Sequence, residues 1–167
     1  MKDWNFFRLI THKKFLWALI PLMMTELYFM RQPLPMQTLD SRFYYMPADV
    51  TLLLTFIERA GRLTYLRIEL FDLSFLATYS LFILGFLSRI FYTNLKKPVP
   101  RNMILICLVP GFFDVIETVG IIVMICVYPN YPDFLPVVVS IATPLKWLGM
   151  VNIIIMGLRE LVFRSGA

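Results

Sequence analysis

The chain has 167 residues, of which 59% are hydrophobic and 16% are charged, and its formal net charge is +5. This apolar share exceeds that of an ordinary soluble domain. A helix needs about 20 mostly apolar residues to cross the roughly 30 Å hydrocarbon core of a bilayer, so four spans would use nearly the whole chain. We therefore expect a single membrane domain over residues 1–167, with no separate soluble domain.

The basic residues cluster near the ends of the apolar segments, and no basic run is interleaved with aromatic side chains. That distribution is typical of a membrane protein and gives no surface for a phosphate backbone, so we expect no nucleic-acid partner. Cys107 and Cys126 lie 19 positions apart in one apolar run. They form no C-x-x-C pair, which argues against thiol-redox chemistry.

Four apolar segments are predicted to span the membrane, at about residues 15–30, 63–92, 102–128 and 136–158. The first segment follows Lys13 and Lys14 and lacks a signal-peptide cleavage pattern, so we expect it to be a retained anchor. Further Lys and Arg residues follow the second and fourth segments, which places both termini on the cytoplasmic side. The sequence thus predicts an all-α integral membrane four-helix bundle with its N and C termini inside.

A short helix is predicted in the first outside loop, at about residues 48–60. Pro47 suits a first helical turn, Asp49 favours the positive end of the helix, and Gly61 can close it. Apolar side chains recur at intervals of three and four residues, at Leu53, Phe56, Ile57 and Ala60. This spacing favours a helix that lies along the outer interface or caps the bundle.

Ionisable side chains recur inside three predicted spans, where each costs at least about 2.5 to 3.5 kcal/mol at the centre of a helix. The rise of 1.5 Å per residue places Asp72, Asp114 and Lys146 at similar depths near mid-membrane. Helical spacing adds neighbours on the same faces, so we expect one buried polar cluster formed from the second, third and fourth spans. The candidate ligand-binding or polar cluster consists of Arg62, Tyr65, Glu69, Asp72, Asp114, Glu117, Thr143 and Lys146.

The charges of this predicted cluster do not balance, because four carboxylates face one lysine. Arg62 or Arg67 could reach in, carboxyls could stay protonated, or a cation or cationic ligand could complete the site. We favour a combination of the first two, with Lys146 paired to Asp114 or Asp72. The same residues could instead serve only to fix the register of the helices.

Glu69 of this cluster and Glu26 of the first span lie nearer the ends of their spans, and we expect them to be closer to water. The only histidine, His12, precedes the first span, which disfavours haem or a histidine-ligated metal inside the bundle. The sequence contains no nucleophile elbow, no Gly-rich phosphate loop and no Cys/His metal spacing. We therefore expect no metal and no cofactor.

Many residues of the chain form a recognisable pattern. They are Leu39-Asp40 through Tyr45 and Pro47, then Gly61-Arg62, Tyr65-Leu66, Asp72 and Tyr79, then Pro110, Asp114 and Glu117, then Tyr128-Pro129, and finally Thr143 with Lys146-Trp147. Over about residues 39–150 the chain resembles a family of small four-span membrane proteins found mainly in bacteria. The resemblance implies a four-helix fold with a polar intramembrane centre and a location in the bacterial inner (plasma) membrane, and it carries no established activity. The family has asparagine after the glutamate of the third span, where this chain has Thr118.

Three functional hypotheses follow from the cluster. The first is a small membrane protein that binds or carries an amphipathic or lipid-like ligand in a pocket lined by Asp72, Asp114, Glu117 and Lys146. The second is a membrane-embedded lipid-modifying or isomerising enzyme, in which Glu117 or Asp114 is the general acid. The third is an accessory subunit of a larger membrane complex. The expected partners are membrane lipid, a small amphipathic ligand or another membrane protein.

Overall fold

The computed structural model describes residues 9–91 and 101–164, and all the regular secondary structure within these ranges is helical, with no strand. This confirms the predicted all-α class for the described part of the chain. The five helices are α1 (Lys13–Met30), α2 (Pro47–Phe56), α3 (Glu58–Arg89), α4 (Arg101–Val127) and α5 (Phe134–Arg164).

Three of the described helices are long and apolar enough to cross a membrane. They are α3 with 32 residues, the 24-residue stretch Ile104–Val127 of α4, and the 26-residue stretch Phe134–Arg159 of α5. Helix α1 has 18 residues and contains Lys13, Lys14 and Glu26. At 1.5 Å per residue it is about 27 Å long, which is close to the thickness of the hydrocarbon core.

Helix α2 begins where the sequence suggested but ends earlier. Its first turn contains Pro47, and the carboxylate of Asp49 accepts a hydrogen bond from the Met46 N–H at 2.7 Å. The helix ends at Phe56 because the chain turns there, with Glu58 at a φ of 53°. Gly61, which we expected to close the short helix, lies inside α3.

Helix α1 packs antiparallel against α3. Near one end, Arg89 of α3 donates a hydrogen bond to the Thr11 carbonyl at 2.8 Å. Further along, Ser74 and Thr78 of α3 donate to Glu26 of α1 at 2.5 and 3.1 Å. Rising residue numbers in α1 therefore meet falling numbers in α3.

Helices α4 and α5 also pack antiparallel, and glycines allow them to come close. Gly120 of α4 lies directly against Val139 of α5. At Gly149 of α5, a Cβ would lie 2.8 Å from the Pro110 side chain of α4. This close approach brings the middle of α5 against the acidic residues of α4.

The main hydrophobic core lies at the end of the molecule that carries α2. There α2 and the segment 31–46 cover the adjoining ends of α3, α4 and α5, with Leu39, Val50, Leu53, Tyr65, Met124 and Val139 among the buried residues. A smaller cluster at the opposite end includes Leu87, Phe91, Cys107 and Ile153. The polar residues lie between these two apolar regions.

Candidate functional site

Lys146 is the centre of the buried polar cluster. Its Nζ lies 3.0 Å from Oδ1 of Asp114 and is in contact with Oε2 of Glu117. Lys146 is 7% exposed, Asp114 is 4% exposed and Glu117 is fully buried. Asp114 and Glu117 lie three residues apart on α4, so both carboxylates face the same lysine of α5.

Lys146, Asp114 and Glu117 form an ion triad, and two hydroxyl groups donate hydrogen bonds to its carboxylates. Tyr79 of α3 donates a hydrogen bond to Oδ2 of Asp114 at 2.6 Å. Thr143 of α5, one turn before the lysine, donates to Oε1 of Glu117 at 2.6 Å. Both carboxylates therefore have a cationic partner and a hydroxyl donor, which compensates for their removal from water.

Asp72 of α3 lies beside the triad and is paired differently. Its Oδ2 accepts a hydrogen bond from the Thr118 hydroxyl of α4 at 2.9 Å, and no ion pair to Asp72 occurs in the described part of the chain. The Thr118 hydroxyl supplies the donor for Asp72, a role that spacing alone did not indicate.

Glu69 is fully buried one turn before Asp72, and among the described residues neither of its carboxylate oxygens has a hydrogen-bond partner. The expectation that Glu69 lies near water was wrong. The segment 31–46 and α2 cover this end of α3, and how tightly they pack there depends on tertiary contacts that spacing along the chain does not indicate.

Tyr65 connects the cluster to the segment 31–46, which is called the covering segment below because it covers the ends of α3, α4 and α5. Its hydroxyl accepts a hydrogen bond from the Leu39 N–H at 3.0 Å and donates to Asp40 at 3.4 Å. Tyr45, from the same segment, is also buried, and this burial raises the pKa of its hydroxyl above the ordinary value, so it stays neutral at physiological pH. Tyr45 belongs to the pattern that carries the resemblance, but it was not among the candidate site residues because nothing in its spacing places a loop residue inside a bundle.

Arg62 is held away from the ion triad. Its guanidinium donates to the Leu54 carbonyl at 2.7 Å and lies 4.4 Å from the centre of the Tyr128 ring. Arg67, the other arginine considered, is exposed. Neither arginine is observed in an ion pair with the buried acids in the described residues, so Lys146 alone faces them.

Glu26 forms a second buried polar contact, between α1 and α3. It is 4% exposed and accepts hydrogen bonds from Ser74 and Thr78. We expected Glu26 to be closer to water, and this was wrong. The Ser74 and Thr78 hydroxyls take the place of water as hydrogen-bond donors to Glu26. The sequence does not indicate which face of α3 contacts α1, so these donors were not predicted.

A cavity of about 420 Å³ lies beside the cluster and is bounded by α1, α3, α4, α5 and the segment 31–46. Glu117 does not line it, and its polar part is formed by Asp40, Ser41, Asp72, Tyr79, Asp114 and Lys146. Its apolar part is formed by Met23, Phe75, Phe82, Ile83, Trp147 and Met150. Among the site residues predicted from the sequence, Asp72, Asp114 and Lys146 are thus the ones that a molecule in the cavity can contact.

A second cavity of about 560 Å³ lies between the end of α1 and the covering segment. Arg31, Gln32 and Gln37 are among its polar residues, whereas Met24 and Leu27 belong to its apolar lining. Asp40 and Ser41 line both cavities. The two cavities therefore adjoin at this part of the segment 31–46.

Metal binding has no support in the residues that the structure describes, where no group of three or more His, Cys, Asp or Glu side chains could hold an ion. No protein-family model matches the chain, and no curated protein or solved structure is significantly similar to it. The chemistry of the site therefore carries the functional assignment.

Proposed function

We propose that this small multi-pass membrane protein binds or carries an amphipathic, lipid-like ligand in the 420 Å³ cavity. The observation that carries the proposal is the lining of that cavity, which combines apolar and aromatic side chains with Asp72, Asp114 and Lys146. Small-molecule sites are commonly about 300 to 1,000 Å³ in volume and mostly apolar, with a few placed polar groups.

The incomplete pairing of Asp72 favours binding over a purely structural role. Asp114 is paired on two sides, with Lys146 and with Tyr79, and needs no ligand. Asp72 has the Thr118 hydroxyl as its described partner and borders the cavity. A residue that served only to fix helix register would not need to leave accessible polar capacity beside an apolar space.

The proposed membrane arrangement has four crossings, with α1 as the first and with both termini inside. Helix α1 is long enough for the hydrocarbon core and packs antiparallel along α3. In this arrangement the cavity lies at mid-membrane depth, where a lipid-like molecule can enter between helices. We place the protein in a plasma membrane, where membrane lipid would be its natural partner.

The enzyme alternative has less support than binding. Both carboxyls considered as general acid, Asp114 and Glu117, are already occupied by Lys146 and by hydroxyl donors. Glu117 also lies outside the cavity lining. A general acid must reach the group that it protonates, so the geometry favours ligand binding.

Native mass spectrometry of the protein released from its own membranes tests the proposal. A Met150→Trp substitution should fill the cavity, since Met150 lines it. Leu148→Trp is the matched control, because Leu148 is 58% exposed and lies on the same helix. We expect an amphipathic molecule to remain on the wild-type protein and on Leu148→Trp, and to be lost from Met150→Trp.

Two results would contradict the proposal. One is a wild-type spectrum with no retained small molecule under conditions that preserve the fold. The other is equal retention by both tryptophan variants, which would place the molecule on the outer surface and not in the cavity.

A further inference from the structure

The charged groups around the cavity have a negative surplus. Lys146 is the one basic side chain among the described residues that line it, whereas Asp40, Asp72 and Asp114 are acidic. Lys146 is itself shared between Asp114 and Glu117. An anionic head group would therefore be repelled by the carboxylates, and Lys146 is already in ion pairs with Asp114 and Glu117.

Asp72 is the acidic group with the least compensation among those that border the cavity inside the helices. It is 8% exposed, and the Thr118 hydroxyl is its described hydrogen-bond partner. A buried carboxylate needs a countercharge or several donors to offset its loss of water. A cation in the cavity would provide that countercharge.

Aromatic side chains give the cavity a second feature suited to a cation. Phe75, Tyr79, Phe82 and Trp147 all line it. The faces of aromatic rings attract ammonium groups, and cages of such rings recognise quaternary ammonium ligands. Apolar contact alone would be served equally well by aliphatic residues, so the rings add to the electrostatic argument.

We propose that the ligand of this cavity is a cationic amphiphile, with a protonated amine or quaternary ammonium head held by Asp72 and an apolar body held among the rings. This inference rests on the proposed function and specifies its ligand class. The Asp72 carboxylate is the countercharge of the head group. Asp114 and Lys146 of the ion triad line the cavity beside it.

The test uses two hydrophobic ions of nearly the same shape and opposite charge, tetraphenylphosphonium and tetraphenylborate. Each is titrated by calorimetry into the full chain in a non-ionic detergent, and the heat of a titration into protein-free micelles is subtracted. We expect the phosphonium ion to bind and the borate ion to bind at least about tenfold more weakly. A neutral monoacylglycerol is titrated in the same way.

Variants assign the effect to Asp72. Asp72→Asn should weaken phosphonium binding about tenfold or more, whereas Asp72→Glu, which keeps the charge, should retain most of it. Asp133→Asn is the matched control, since Asp133 is exposed in the turn before α5 and lies outside the cavity lining. Circular dichroism and size-exclusion chromatography establish that each variant is folded, and the comparison of the two ions on the wild-type protein requires no substitution.

Several outcomes would overturn the inference. They are equal or tighter binding of the borate ion, unchanged phosphonium binding by folded Asp72→Asn, and no binding of the phosphonium ion. If the monoacylglycerol binds while the phosphonium ion does not, the charge assignment fails and the proposed function stands. If none of the three probes binds and no molecule is retained in native mass spectrometry, both fail.

Discussion

Lys146 illustrates how a charge can be accommodated in the middle of an apolar helix. Removing an ion pair from water is costly, and the attraction between the partners offsets this only when the remaining lone pairs and protons are also satisfied. Here Asp114 and Glu117 share the ammonium group, and Tyr79 and Thr143 donate to their other oxygens. The cluster is therefore a unit in which each group depends on its neighbours.

Replacing Lys146 by methionine should destabilise the protein strongly. The substitution leaves two buried carboxylates without their cation, which costs about 3 to 5 kcal/mol of the free energy of unfolding. Lys13→Met is the control, because Lys13 is exposed and its change should stay within about 0.5 kcal/mol. Unfolding in sodium dodecyl sulfate, followed by circular dichroism, measures both, and equal effects would contradict the account.

Glu69 and Glu117 should respond in opposite ways to conversion into glutamine. Glu69 has no described partner to lose, so Glu69→Gln should keep or raise the free energy of unfolding, by about 1 kcal/mol. Glu117→Gln removes a partner of Lys146 and should lower it by a similar or larger amount. The same unfolding assay decides, and a loss at Glu69 as large as that at Glu117 would contradict this picture.

The spacing of ionisable residues in the sequence located the members of the cluster, since Asp72, Asp114 and Lys146 fall near the centres of three apolar segments. It also named Asp114 as one of two possible partners of Lys146, and the structure shows that ion pair. It did not identify the hydroxyl donors, because the partners of Tyr79 and Thr118 depend on how α3 packs against α4. Glu26 was misjudged for the same reason, because its hydroxyl partners lie on another helix.

At the scale of the helices, small residues set the distances on which the cluster depends. The antiparallel packing of α4 on α5 needs Gly120 and Gly149, and the segment before α1 approaches α3 at Gly85. The sequence predicted where long helices occur because apolar length is local information. It did not predict the turn at Glu58. The residues there are compatible with a continuous helix, and the helix breaks because α2 packs in a different direction from α3.

Alanine at Gly85 and at Gly157 should separate close packing from helix propensity. Each substitution gains up to about 1 kcal/mol of helix propensity. At Gly85, however, a Cβ would lie 2.5 Å from the Ile10 carbonyl oxygen, whereas at Gly157 the nearest atom is a Leu87 methyl at 3.3 Å. We expect Gly85→Ala to lose about 1 to 3 kcal/mol of unfolding free energy in detergent and Gly157→Ala to lose none. Equal changes would show that the segment at Ile10 is not packed on α3.

At the scale of the whole molecule, the arrangement of helices determines which side of the membrane each end occupies. The three helices α3, α4 and α5 are long and apolar enough to cross, and α1 runs antiparallel to α3. If α1 crosses as well, the start of α1 and the turn between α4 and α5 lie on opposite sides. If α1 stays on the surface, they lie on the same side.

Cysteine labelling distinguishes these topologies. In a chain whose native Cys107 and Cys126 are replaced by alanine, we expect Asp133→Cys to react with a membrane-impermeant maleimide on intact cells. Lys13→Cys should react only after permeabilisation, because the proposed first crossing places it inside. Labelling of both positions from outside would show that α1 does not cross.

The most direct test of the account is an experimental density map of the protein in a lipid environment, such as a crystal grown from a lipidic mesophase. We expect elongated density in the cavity beside α1, α3, α4 and α5, with its polar end in contact with the Asp72 carboxylate. A cavity closed by protein side chains, or Asp72, Asp114 and Lys146 on separate surfaces, would contradict the central claim that a ligand is held beside a buried ionic cluster.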